Sequence, residues 1–192
     1  NGAKVNAKNN KALIRASTNG HLEVVKYLIE NGADIHAQDD ALINASVNGY
    51  LELVKYLIEN KANINAQNNK ALIVASKYGH LEIVKYLIEN YANIHAQYDL
   101  ALISASERGH LEVVKYLIEN GANIHAQNDE ALTNASANGH LEVVKFLIEN
   151  NADINNQALI EASYKGYLEV VKFLIENGAD IHAKDNLDLR AS

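Results

Sequence analysis

The chain has 192 residues, an apolar fraction of 48% and no Cys, Pro, Met or Trp. Without Cys there is neither a disulfide framework nor a thiolate metal site, which favours an intracellular setting. The net charge of −7 argues against general affinity for nucleic acid, which needs Lys and Arg in excess on one face, and no stretch approaches the roughly 18–20 apolar residues of a membrane span.

Read in chain order, the sequence repeats itself. Residues 1–11 match the end of a unit: Asn1-Gly-Ala-Lys-Val-Asn-Ala-Lys8 parallels Asn31-Gly-Ala-Asp-Ile-His-Ala-Gln38. Full units start near Ala12, Ala41, Ala71, Ala101, Ala131 and Ala158, and residues 184–192 begin a further one. A fixed period of this size means stacked small units rather than a globule with one central core. The expectation is therefore a single array over 1–192, with partial units at 1–11 and 184–192, reading as a segment of a longer array.

Within a unit the pattern is helix, turn, helix, loop. In the third, Ala71, Leu72, Ile73, Ala75 and Ser76 predict a short helix of about two turns. Gly79 interrupts, and Leu81, Val84, Leu87 and Ile88 mark one face of a second helix, widened by Ile83 and Tyr86. Leu81, Val84 and Leu87 are expected to be buried between units. The aromatic slot held by Tyr27, Tyr56, Tyr86, Tyr116, Phe146 and Phe173 reads as core. Glu82 and Lys85 can pair at i,i+3. Neither helix is long enough to stand alone, so stability must come from neighbouring units.

Gly20, Gly49, Gly79, Gly109, Gly139 and Gly166 share one slot, where a left-handed residue ends the first helix. The slot after the second helix is mixed (Gly32, Lys61, Tyr91, Gly121, Asn151, Gly178), so a positive φ there is either dispensable or held at a cost. An extended linker such as 33–38 leads to a short polar turn. Two turns are short: only Gln157 stands where other units have four residues, and the second unit has one fewer before Ala41. The loss at 157 is expected to draw two units together or to bend the array.

Residues 20–37, Gly-His-Leu-Glu-Val-Val-Lys-Tyr-Leu-Ile-Glu-Asn-Gly-Ala-Asp-Ile-His-Ala, resemble the ankyrin repeat, and the resemblance recurs in register over the whole chain. It implies an all-α fold: an ankyrin-type α-solenoid of stacked helix-turn-helix repeats. The family's unit has about 33 residues and opens on Thr-Pro-Leu-His. Here the period is thirty and the opening reads Lys70-Ala-Leu-Ile73. The hairpin finger should accordingly be shortened to a tight turn, and the Thr and His that tie neighbouring units are absent. The thirty-residue form resembles the arrays of giant amoeba (mimivirus-like) viruses.

No catalytic, cofactor or metal site is expected. His21, His80, His110 and His140 share one slot, and His36, His95, His125 and His182 another. Equivalent residues in stacked units lie about 8–10 Å apart, whereas zinc needs ligand atoms about 2 Å from one ion. Capping, or bridging of turns by hydrogen bonds, is the expected role of these histidines. Ser17, Ser46, Ser76, Ser106, Ser136 and Ser163 recur too, whereas a catalytic Ser needs its own base and oxyanion donors; tight helix packing is expected of them.

The resemblance implies a non-catalytic scaffold whose first helices and turns form a concave face for a protein partner. That partner is unidentified, and is a host protein in the host cytoplasm if the array is viral. No nucleic acid, membrane or cofactor is expected, and the protein should be monomeric. The residues that break the repeat around units three and four form the expected binding site: Val74, Lys77, Tyr78, Tyr98, Leu100, Ser104, Glu107 and Arg108. Tyr91 and Tyr164 are further aromatics outside the pattern. The alternative is a purely architectural spacer.

Overall fold

Small residues and aliphatic stripes alternate along this chain, and they fold as helix pairs. The computed structural model describes residues 7–36 and 39–182. Residues 1–6 of the first partial unit (1–11), residue 183 with the last partial unit (184–192), and part of the short turn before Ala41 lie outside the described residues. Among them there are twelve helices and no strand, as the α-only reading requires. The chain forms two compact units, residues 1–97 and 98–192.

In the first unit the short helices are α1 (Ala7–Thr18), α3 (Asp40–Val47) and α5 (Ala66–Lys77). Each is followed by a partner: α2 (Leu22–Glu30), α4 (Leu51–Glu59) and α6 (Leu81–Glu89). Helices α1, α3 and α5 lie side by side, and α4 packs on α6. The seam is built by Leu42, Ala45, Leu72, Ala75, Val54, Leu57, Val84 and Leu87, all buried. Close approach of the first helices requires small side chains, and Ser17, Ser46 and Ser76 are fully buried there with the alanines.

The second unit repeats the plan. Helix α7 (Ala96–Glu107) begins at the division and precedes α8 (Leu111–Glu119); α9 (Ala126–Ala137) pairs with α10 (Leu141–Glu149), and α11 (Asn156–Lys165) with α12 (Leu168–Glu176). Leu132, Ala135, Val144, Leu147, Ala162 and Leu174 fill its seam.

Two burial expectations need correction. Leu81 is half-buried, because Ile83, Val84 and Leu87 occupy the centre of the stripe and Leu81 flanks it. The aromatic slot is not core either: Tyr56, Tyr86, Tyr116, Phe146 and Phe173 are half-buried and Tyr27 is exposed. These rings border the seam, where Lys26 Nζ sits 5.9 Å from the centre of the Tyr56 ring. The second helices also carry the expected ion pairs, each 2.8 Å long: Lys26–Glu23, Lys55–Glu52, Lys85–Glu82, Lys115–Glu112, Lys145–Glu142 and Lys172–Glu169. Donating hydrogen bonds to the Glu23 and Glu52 carboxylates holds the Lys26 and Lys55 ammonium groups above the usual lysine range. Such solvated pairs add little stability.

Candidate binding face: first helices and turns

The turns have an unexpected backbone. Gln67, Asn68 and Asn69 are all left-handed, with φ of 48°, 56° and 62°. Gln97, Tyr98 and Asp99 repeat this at 53°, 59° and 60°, and Gln127, Asn128 and Asp129 at 53°, 57° and 59°. Left-handed backbone costs an L-residue roughly 1–2 kcal/mol, less for Asn and Asp, and normally occurs singly. Here a run of three turns the chain sharply into the first helix, which is how a thirty-residue unit dispenses with a hairpin finger.

The third residue of each run repays the strain. Asn69, Asp99 and Asp129 are buried, and each Oδ1 accepts a hydrogen bond from a backbone N–H in the following repeat: Asn93 at 2.7 Å, Asn123 at 2.8 Å and Asp153 at 2.9 Å. This ladder takes over the ties that the missing Thr and His would have made. Further links run beside it: Gln67 Nε2 donates to Asp40 Oδ1 at 3.2 Å, and Gln97 Nε2 to the Asn68 carbonyl at 3.0 Å.

His80 and His140 bridge rather than cap. No side-chain cap bond forms at His80 or His140. Instead His80 Nε2 donates to the Val47 carbonyl and His140 Nε2 to the Glu107 carbonyl, both at 3.0 Å. In the second slot His125 Nδ1 lies 3.0 Å from Asp129 Oδ1 and 3.8 Å from Asp153 Oδ2. Among the described residues this is the one His and carboxylate cluster with metal-like spacing. Asp129 Oδ1 is already shared by the His125 ring and the Asp153 N–H, which makes the cluster a hydrogen-bonded link between successive repeats.

The expected site residues fall in both units. In the first, Tyr78 ends α5, is 52% exposed and stacks on the His80 ring with centroids 6.5 Å apart. Lys77 beside it is half-buried and Val74 is buried. In the second, Tyr98 is 78% exposed at the crest of the left-handed run. Leu100 is half-buried, Ser104 is buried, and Glu107 pairs with the exposed Arg108 at 3.5 Å. Val74 and Ser104 therefore offer a partner little surface. Tyr91, which the expected site omits, is 89% exposed with φ of 70°; its signal was the bulky side chain in a slot that otherwise favours Gly or Asn.

Comparison with known proteins follows the same lines. Residues 39–98 and 102–185 match the family of ankyrin repeats in three copies, and residues 13–56 match ankyrin repeats in many copies. The crystal structure of the human ASB11 ankyrin repeat domain superposes with a TM-score of 0.80 at 26% identity, covering 88% of this chain and 84% of that one. No curated protein sequence matches significantly. Ankyrin repeats are generally protein–protein interaction modules. With matches over most of its length and the helix pairs in place, the chain belongs to the ankyrin-repeat family.

Proposed function

We propose that this protein is a non-catalytic scaffold that presents the face of its first helices and turns to a protein partner. The observation that carries this reading is Tyr98. The equivalent residues of the other left-handed runs are Asn68 and Asn128, which tolerate that backbone. A tyrosine there gains nothing from its conformation and, at 78% exposure, little from packing. Large aromatic side chains held at the surface against local preference fit a contact surface, where Tyr supplies area and a polar tip at low entropy cost. Tyr78 fits the same role in the first unit, with Lys77 beside it; in the second, Leu100 accompanies Tyr98, with Glu107 and Arg108 as charged rim groups.

The thirty-residue period and Asn-rich turns favour an array of the giant amoeba virus kind. That origin would make the partner a host protein, met inside the host cell by a monomeric chain. The test is a pull-down from amoeba lysate with mass spectrometry, using the native chain and one whose variable residues are replaced by repeat consensus. A specific partner lost with the consensus chain is expected, and Tyr78→Ala and Tyr98→Ala should each weaken it by over about 1 kcal/mol. Capture that is equal for both chains would leave the spacer reading in its place.

A further inference from the structure

Charge is divided unevenly along the chain. Residues 1–97 carry ten Lys and Arg against nine Asp and Glu, whereas residues 98–192 carry seven against fifteen. Within the first unit the basic groups fall into two sets. Lys26, Lys55 and Lys85, on the second helices, are each neutralised by a Glu three residues earlier. The second set, Lys11, Arg15, Lys70 and Lys77, stands at variable slots of the first helices, while Lys61 follows α4 and belongs to neither. Lys11 and Arg15 lie four apart on α1, and Lys70 and Lys77 seven apart on α5, so each pair shares one face of its helix. Lys11, Arg15 and Lys70 are exposed, and no carboxylate pairs with them among the described residues.

Helix α3 lies between α1 and α5 and presents Asp40 and Asn44 at the matching positions. Asp40 already accepts a hydrogen bond from Gln67. The face therefore has two cationic ends and a polar middle. At about 8–10 Å per helix contact the two ends are roughly 20 Å apart, the length of about six extended residues. Tyr78 adds an exposed ring beside the α5 end.

We infer that the first-helix face of residues 7–97 binds an extended acidic peptide segment of its partner, with carboxylates near Lys11 and Arg15 at one end and Lys70 and Lys77 at the other. This rests on the protein-binding reading above and specifies the chemistry of the partner. Nucleic acid fits worse: a strand carries a phosphate at every nucleotide and has no uncharged middle, so one lying along this face would set phosphates against Asp40.

The probe is a fluorescein-labelled twelve-residue peptide with two Glu pairs centred six residues apart and Ser and Gly elsewhere, compared with its Glu→Gln counterpart and with a twelve-nucleotide single-stranded DNA. Anisotropy should rise on adding the native chain to the Glu peptide, fall back as NaCl goes from 50 to 300 mM, and stay low with the Gln peptide. Arg15→Gln with Lys70→Gln should weaken Glu-peptide binding at least tenfold at unchanged melting temperature, since both residues are exposed. No binding of the Glu peptide, equal binding by the double variant, DNA binding as tight as the peptide's, or salt-sensitive self-association in sedimentation that accounts for the signal would each overturn the inference. A lysate partner that ignores the Arg15 and Lys70 changes but responds to Tyr78→Ala would refute this acidic-segment assignment while leaving the scaffold reading intact. Absence of any partner would instead count against the scaffold reading.

Discussion

The His140 ring lies directly over Gly109: a Cβ built on that glycine would come within 2.5 Å of His140 Nδ1. The same ring donates to the Glu107 carbonyl through Nε2. Gly109 also has φ of 74°, so one position answers both to its own backbone and to the next repeat's imidazole. The Gly49–His80 and Gly20–Tyr50 pairs show the same approach in the first unit.

Gly109→Ala should therefore cost more than its backbone alone. The left-handed term is about 1–2 kcal/mol, and displacing the ring forfeits a hydrogen bond worth about 0.5–1.5 kcal/mol. Gly166 provides the control, with φ of 78° and open space where a Cβ would project, nothing lying within 4 Å. Urea denaturation should show a larger loss for Gly109→Ala than for Gly166→Ala. Removing the ring with His140→Ala should shrink the penalty of Gly109→Ala to the backbone term.

Lys61 and Tyr91 occupy left-handed backbone after the second helix, with φ of 74° and 70°. Glycine relieves that strain at some cost in chain entropy. Lys61→Gly and Tyr91→Gly should each stabilise by roughly 0.5–1 kcal/mol, read as a shift of the denaturation midpoint. Either variant melting below the parent would show that these side chains hold contacts that outweigh the strain.

The turn ladder depends on an acceptor oxygen and not on a negative charge, since Asn69 does in its turn what Asp99 and Asp129 do in theirs. Asp129→Asn should leave stability within about 0.5 kcal/mol, whereas Asp129→Ala strands the Asp153 N–H and should cost about 1–3 kcal/mol. Excess zinc should leave the melting temperature unchanged. A zinc-dependent rise that disappears in His125→Asn would instead place an ion on His125, Asp129 and Asp153.

Leu87 is fully buried between repeats, whereas Leu28 in the matching slot of α2 is half-buried. Leu87→Ala should destabilise by roughly 2–5 kcal/mol and Leu28→Ala by visibly less. Equal losses would mean that burial in the stack does not set the energy of this slot.

The helix pairs were legible because their signals are local and repeated. Val84 and Leu87 stand in slots that recur at helical spacing, and the slot of Gly109 holds a glycine at a helix end in every full unit. The left-handed runs were not legible. Gln67-Asn68-Asn69 reads simply as a polar turn, and nothing in three polar residues says that all take positive φ or that Asn69 reaches a backbone N–H 24 residues on. Such a tie appears only once neighbouring repeats are stacked. The same limit applied to the candidate face. Repeat-breaking residues could be picked out, but Val74 and Ser104 prove buried, and burial depends on how the helices pack.

The repeat that starts at Ala158 follows Ala131 by 27 residues instead of thirty, a shortfall equal to one left-handed run. Asn155 takes over there: its side chain accepts from the Ala158 N–H at 2.9 Å to begin α11, and its Nδ2 donates to the Asn128 carbonyl at 2.9 Å. The run thus behaves as a removable cassette, and helix pairing survives without it. Segment length at the turn is uncoupled from the stack, so this is where the array can gain or lose residues in evolution, and where a foreign loop could be grafted without redesigning the helices.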